Sequence, residues 1–214
     1  RDPFAWANLT TLEGWSRELA GFAVDDHQRD FQGNNTKLGA FANSGFHNLG
    51  ADGSADRKLG LIGRTAGTFP SALTVTFENQ SGGTVNTFDL TYRGEQWFRA
   101  AEGVSLDFQY AISDVSPASP LATGVNWVDL DALDFVPPVT GGNLSIDGSS
   151  PANQSVEQVT DHQITLQNGR FITFRWYYAG PPNAGDTGTG MFIDDLSIAF
   201  TGTPVPGSPT AYQA

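Results

Sequence analysis

The segment Thr84–Tyr92, with the sequence TVNTFDLTY, alternates polar and apolar side chains with a period of two. Phe88, Leu90 and Tyr92 fall on one face, whereas two threonines and an aspartate fall on the other. A period of two is the repeat of a β-strand that buries one face. The segment therefore predicts a strand that packs its aromatic face against a second layer.

The same alternation recurs along the chain, and no stretch carries the apolar stripe of an amphipathic helix, apart from one or two helical turns expected in Thr11–Leu19. Gln167-Asn168-Gly169 predicts a type I′ hairpin turn, because Asn-Gly tolerates positive φ angles. Many short strands without βαβ units predict an all-β, two-sheet antiparallel sandwich, jelly-roll-like in topology. The other predicted strands are Phe22–Val24, Leu38–Phe41, Leu59–Ile62, Ser71–Glu78, Val104–Ile112, Val125–Leu130, Leu133–Phe135, Val156–Leu166, Arg170–Tyr178 and Met191–Phe200.

Composition limits the classes of function. The 214 residues suit one β-sandwich, which we place at residues 1–202, followed by a Pro-rich tail at 203–214. The absence of cysteine excludes disulfides and thiolate chemistry. A net charge of −12 disfavours nucleic acid as a partner, since phosphate binding needs clustered cations. No apolar run reaches the ~20 residues that span a bilayer.

Seven short segments occur in a fixed order along the chain. They are LTTLEGW (Leu9–Trp15), RKLG (Arg57–Gly60), VTFEN (Val75–Asn79), LTYRGEQW (Leu90–Trp97), LDFQY (Leu106–Tyr110), WVDLDALDF (Trp127–Phe135) and MFIDDLSI (Met191–Ile198). The chain thereby resembles a family of bacterial secreted and cell-surface β-sandwich domains, some of which precede a C-terminal sorting tail. GEQW and IDDLS are the most specific parts. The resemblance implies a sandwich fold and a secreted or cell-surface location, and no established activity.

Catalytic constellations are weak in this sequence. There is no Gly-x-Ser-x-Gly elbow, and the three histidines (His27, His47, His162) fall in loops or on a strand. Glu95 is the best acid for glycoside hydrolysis, but that reaction needs a second carboxylate across a cleft. An ion pair of Glu95 with Arg93 or Arg57 is the favoured explanation of this residue. We therefore predict a protein that is not an enzyme, with glycoside hydrolase as a minor alternative.

Carbohydrate binding is a further hypothesis, because exposed aromatic rings stack on sugars. Trp97 and Tyr177 are the candidate rings, and Glu95 is the candidate hydrogen-bonding group. Alternation places Trp176 in the core and sets Tyr177 on the same face as Arg175. Such a module could depend on Ca²⁺.

Loop aspartates supply the hard oxygen ligands that Ca²⁺ prefers. The candidates are Asp52, Asp56, Asp186 and Asp194, and none belongs to an EF-hand. Strict alternation along Met191–Phe200 places Asp194 on the inward face with Phe192 and Leu196, and turns Asp195 outward. An inward carboxylate needs a cation or several donors, so loop amides or an arginine are the alternative partners to Ca²⁺.

Assembly into an extracellular fibre or surface layer is the first functional hypothesis from the sequence. Phe4 and Trp6, in an extended start, could add a strand to a neighbouring molecule, as could the Pro-rich tail. The expected partners are other copies of the chain or other surface proteins, with an extracellular glycan as the partner under the carbohydrate-binding alternative.

Overall fold

The computed structural model describes residues 15–19, 27–31, 45–51, 58–62, 70–100, 103–117, 119–142, 144–180 and 188–203. These residues form twelve strands and two short 3₁₀ turns, Asp131–Leu133 and Pro151–Asn153. None of the helices found in these ranges is long and apolar enough to cross a membrane. The strands are β1 (Trp15–Leu19), β2 (His27–Phe31), β3 (Gly45–Ala51), β4 (Lys58–Ile62), β5 (Ser71–Glu78), β6 (Thr84–Arg99), β7 (Asp107–Ser113), β8 (Val128–Asp129), β9 (Leu144–Ser145), β10 (Gln154–Leu166), β11 (Phe171–Tyr178) and β12 (Gly190–Thr203).

Within the described ranges the strands form two sheets. The first has the order β1-β5-β11-β7-β8, and the second has the order β10-β6-β12-β4-β3-β2, with β9 paired to the end of β6. All pairs are antiparallel except β2 with β3. From β4 to β7, and again from β10 to β12, each strand lies in the opposite sheet from its predecessor, as in a jelly roll. The predicted all-β, two-sheet, jelly-roll-like sandwich is confirmed.

The core lies between the two sheets and is rich in aromatic rings. Phe174 on β11 of the first sheet packs edge-on against Phe88 on β6 of the second, with ring centroids 5.0 Å apart. Tyr92 and Trp176 make a second contact across the sandwich at 5.7 Å. Phe88, Leu90 and Tyr92 are all buried on one face of β6, as the alternation predicts. Two-sheet closure is thus driven by the apolar faces seen in the sequence.

The GEQW segment is buried on both faces of β6. A Cβ on Gly94 would lie 2.2 Å from the Phe135 ring, so only glycine allows that ring to approach the strand. Gln96 exchanges two hydrogen bonds with the backbone of Val139, donating to its oxygen and accepting from its nitrogen. Gly94 and Gln96 therefore hold two different parts of the chain, at Phe135 and Val139, against β6.

A β-bulge in β12 corrects the predicted facing of Asp194. The register with β6 shifts between Asp194 and Ser197, and Asp195 has a φ of 50°. One extra residue reverses the alternation, because two residues then face one on the partner strand. Ile193 therefore shares the sandwich core with Leu196, while Asp194 turns to the opposite face. The prediction that Asp194 faces inward with Leu196 is wrong.

Several local predictions also need correction. Residues 15–19 of the predicted helical turns form a strand instead. Leu133 ends a 3₁₀ turn rather than beginning a strand. The turn at Gln167–Gly169 is present, but only Gly169 has a positive φ, so it is not type I′. It joins β10 and β11 of different sheets rather than a hairpin. The predicted strands Phe22–Val24 and Leu38–Phe41 lie outside the described residues.

Candidate functional site

Polar and aromatic side chains gather on the outer face of the first sheet. We call this group, made of Gln109, Trp127, Asp129, Arg175 and Tyr177, the aromatic face. Arg175 and Tyr177 are alternate residues of β11, and Arg175 lies opposite Gln109 of β7. Gln109 in turn lies opposite Asp129 of β8, which follows Trp127 by two residues. Strand pairing alone brings three segments of distant sequence to one surface.

Arg175 is the centre of the aromatic face. Its guanidinium carbon lies 3.8 Å from the centroid of the Trp127 ring and 4.8 Å from that of Tyr177. Its Nε and Nη2 atoms donate to Gln109 Oε1, and Nη1 donates to the Pro120 carbonyl at 3.1 Å. Cation–π contact and a fork of hydrogen bonds together fix a planar cation. The rings that flank it are therefore held in place.

The aromatic face combines one buried cation with acids at its edge. Burial lowers the pKa of Arg175 to about 10, so the side chain still carries its charge at neutral pH. Gln109 donates onward to the exposed Asp129, which ends the hydrogen-bond chain. Asp107 lies opposite Tyr177, and burial together with neighbouring aspartates raises the pKa of its carboxyl group. Trp127 and Tyr177 are both half-buried, so each residue keeps part of its surface accessible, although the Trp127 Nε1 atom is buried.

A second polar group lies on the outer face of the second sheet. We call Lys58, Glu95 and Asp194 the acid–lysine cluster. Lys58 Nζ donates to Asp194 Oδ2 at 2.6 Å and to Glu95 Oε1 at 3.2 Å. Glu95 Oε2 accepts from the Trp97 indole at 2.8 Å, and Oε1 also accepts from Gln154 at 3.2 Å. Three neighbouring strands, β4, β12 and β6, thus meet in one polar group.

Burial dominates the electrostatics of the acid–lysine cluster. The side chains of Lys58, Glu95 and Asp194 are 13%, 1% and 9% exposed. Burial raises the pKa of Glu95, and the Trp97 hydrogen bond and the Lys58 charge only partly oppose it. Burial alone lowers the pKa of Lys58, but its bonds to Asp194 and Glu95 outweigh this and leave the pKa raised. One ammonium therefore faces two carboxyl groups away from water.

The predicted roles of Glu95 and Trp97 at a surface are wrong. Trp97 is 1% exposed, and a Cβ on Gly148 would lie 2.2 Å from its Nε1, so residues near 148 cover the indole. A ring covered in this way does not stack on a sugar. Glu95 is equally buried and pairs with Lys58, while Arg93 pairs with Asp195 and Arg57 lies outside the described residues. Glu95 does face a second carboxyl group, Asp194, but the ammonium of Lys58 stands between them, where a glycosidic oxygen would have to enter.

The predicted positions of Tyr177 and Trp176 agree with the structure. Trp176 is fully buried, while Tyr177 is half-buried and lies on the face of Arg175. Trp127 is not among the candidate rings that the sequence singles out. The spacing of Trp127 from Asp129 could have indicated its place in the site, because alternate residues of a predicted strand share one face. Asp195 is 60% exposed and pairs with Arg93 at 3.1 Å, as its outward placement requires.

The remaining predicted sites are only partly covered by the structure. Asp52, Asp56 and Asp186 lie outside the described residues, as do Phe4 and Trp6, so a Ca²⁺ site and assembly through the start of the chain stay predictions. Asp194 is paired with Lys58, so Ca²⁺ at this carboxylate would have to displace the lysine. In the described ranges no group of three or more acids and histidines is arranged to hold a metal ion.

No family model and no curated protein matches this chain. Several solved structures are similar over most of its length. TmCBM61 in complex with β-1,4-galactotriose is 13% identical over 90% of this chain and 93% of that chain, with a TM-score of 0.42. The CBM22-1 xylan-binding domain from Paenibacillus barcinonensis Xyn10C is 8% identical over 79% and 88%, with a TM-score of 0.32. The family 11 carbohydrate-binding module from Clostridium thermocellum, bound to a β-1,3-1,4-mixed-linked tetrasaccharide, is 10% identical over 89% and 91%, with a TM-score of 0.33. These likenesses are too distant to show a family.

Proposed function

We propose that this chain is an extracellular carbohydrate-binding module that holds a glycan on the aromatic face. The observation that carries the proposal is the clamp at Arg175, which fixes the Trp127 and Tyr177 rings beside hydrogen-bonding side chains. Ligand sites combine aromatic surface with a few placed polar groups. Rings that are already ordered bind without losing rotamer freedom on association.

A neutral glycan suits the charges on this face. Arg175 already donates to Gln109 and Pro120, so its charge is not free to bind an acidic sugar. Asp129 and Asp107 at the edge accept hydrogen bonds from hydroxyl groups and repel uronates and sulfated sugars. The net charge of −12 acts in the same direction.

Glycan-array screening of the full chain, followed by titration calorimetry with the best neutral oligosaccharide, tests the proposal. Trp127→Ala removes one flanking ring, and we expect it to weaken binding at least about tenfold, or about 1.4 kcal/mol. Tyr177→Ala should weaken binding as well, whereas Tyr177→Phe keeps the ring and should retain most of the affinity.

Arg93→Ala is the matched control, because Arg93 is a half-exposed arginine of the other sheet that pairs with Asp195. It should leave the glycan affinity unchanged. Circular dichroism of each variant establishes that the sandwich is intact. Full affinity in a folded Trp127→Ala variant, or no binding to any neutral glycan, would refute this function.

A further inference from the structure

The acid–lysine cluster joins a potential nucleophile, a potential acyl group and a buried acid. Lys58 lies on β4 and Asp194 on β12, one position beyond the paired residues Leu59 and Ile193. Residues opposite one another on antiparallel strands share a face, so the ammonium and the carboxyl group approach directly. The 2.6 Å between Nζ and Oδ2 brings the nitrogen within one further C–O bond length of the carboxyl carbon.

Glu95 completes the arrangement from β6. It lies opposite Phe192, two residues from Asp194 on the same face. Trp97 donates to Oε2, which leaves Oε1 as the oxygen that meets Lys58. Two anions and one cation leave a net negative charge with little access to water, and an uncompensated buried charge is costly. Burial raises the pKa of Glu95 and so favours its protonated form.

We propose that Lys58 and Asp194 form an intramolecular amide bond, with Glu95 as the acid that assists it. Proton transfer within the ion pair gives a neutral amine and a carboxylic acid. Lys58 Nζ then attacks Asp194 Cγ, and protonated Glu95 donates to the carboxyl oxygen on which negative charge develops. The Nζ–Cγ bond forms and a Cγ–O bond breaks. The oxygen leaves as water with one proton from the carboxyl group and one from the amine, and Glu95 regains its proton.

The surroundings favour this condensation. Phe192 and Trp97 are fully buried beside the cluster, so the water that would drive the reverse hydrolysis is largely excluded. Amines and carboxylic acids do not condense readily in water, but fixed contact between reactants supplies effective molarities of about 10⁵–10⁸ M. The product also replaces two buried charges with one neutral amide. A link between residues 136 positions apart would tie β12 to β4 across most of the chain.

Intact-mass spectrometry of the denatured full chain tests the proposal directly. We expect a mass lower than that of the sequence by one water, and a branched peptide after proteolysis that contains both Lys58 and Asp194. Asp194→Asn would lose ammonia rather than water, so its linked product should have the same mass as the linked wild-type chain. Glu95→Gln should retain the full mass of its sequence.

Two controls separate this amide from other losses of water. Asp195→Asn changes an exposed neighbouring carboxylate and should leave the water loss intact. Lys58→Arg keeps the cation but lacks the nucleophile, so its mass should equal that of its sequence. A wild-type chain of full mass would overturn the proposal, and this result does not depend on the folding of any variant. Water loss that persists in Lys58→Arg would overturn it too, since a cyclic imide at an aspartate such as Asp147, before Gly148, gives the same mass change.

Discussion

Replacing Gly94 by alanine should destabilise the sandwich through one steric contact. The added methyl group would lie 2.2 Å from Cδ2 and 2.5 Å from Cγ of Phe135. Neither partner yields easily, because Phe135 is fully buried and Gly94 lies in a strand paired on both sides. Overpacking of a filled core costs about 1–3 kcal/mol, and we expect Gly94→Ala near 2 kcal/mol.

Urea unfolding measures this effect. With a slope of about 2–3 kcal/mol per M, a loss of about 2 kcal/mol lowers the midpoint by about 0.7–1 M at unchanged slope. Phe135→Leu, which removes the ring, should cost about 1–2 kcal/mol alone. In the double variant the methyl group occupies space left by the ring. The double variant should therefore lose about 1 kcal/mol less free energy of unfolding than the two single variants together. If Gly94→Ala does not change the free energy of unfolding, or if the losses in the two single variants add up to the loss in the double variant, then the contact with Phe135 is not the reason why residue 94 must be glycine.

Three further predictions concern stability. Phe174→Ala should lower the free energy of unfolding by about 3–5 kcal/mol in the same assay, because it removes a fully buried ring that contacts aromatic side chains of both sheets. A loss below about 1 kcal/mol would contradict the central place of this ring in the core. Asn79→Ala should cost about 1–3 kcal/mol, since Nδ2 donates to the buried carbonyls of Gly83 and Leu166 and the substitution removes both hydrogen bonds; stability equal to wild type would contradict it. Burial raises the pKa of Tyr178 to about 12. The unfolded chain therefore releases this proton first, and stability should fall as pH rises from 10 towards 12. Unfolding midpoints measured across that range should fall less steeply in a Tyr178→Phe variant, where part of the fall remains because burial also raises the pKa of Tyr92. An equal fall in both chains would contradict this prediction.

Several strands were predictable from the alternation of apolar and polar side chains, but β2 and β3 were not, although Phe46 of β3 belongs to the core. Ser71–Glu78 has the bounds of β5, and Val156–Leu166 differs from β10 by two residues. In β10 the exposure of the residues alternates with the sequence, whereas the first five residues of β5 are all buried although polar and apolar side chains both occur among them. The alternation is lost in Gly94–Phe98, where both faces are covered and five consecutive residues are buried. The sequence therefore predicted the first part of β6 and not its continuation to Arg99.

The two polar groups were less predictable, for different reasons. Strict alternation mislocated Asp194 because the bulge at Asp195 carries no glycine to mark its positive φ. Lys58 was missed as the partner because strand pairing brings together residues 136 apart in sequence, which spacing does not reveal. The link between Tyr177 and Arg175 was predictable, since alternate residues of one strand share a face. Trp127 joins them only through the pairing of β8 with β7.

Because the GEQW segment is buried, the candidate ligand site lies on the first sheet rather than the second. A glutamate beside a tryptophan invites a catalytic or sugar-binding interpretation when both are assumed to face solvent. Here Glu95 accepts hydrogen bonds from Trp97, Lys58 and Gln154, so its oxygens are already occupied by the fold. The aromatic face has the opposite character, because its internal bonds fix Arg175 while Trp127 and Tyr177 are only half-buried. Of these two polar groups, the aromatic face is therefore the better candidate for the proposed glycan site, because a ligand there would not have to break the hydrogen bonds that the group already makes.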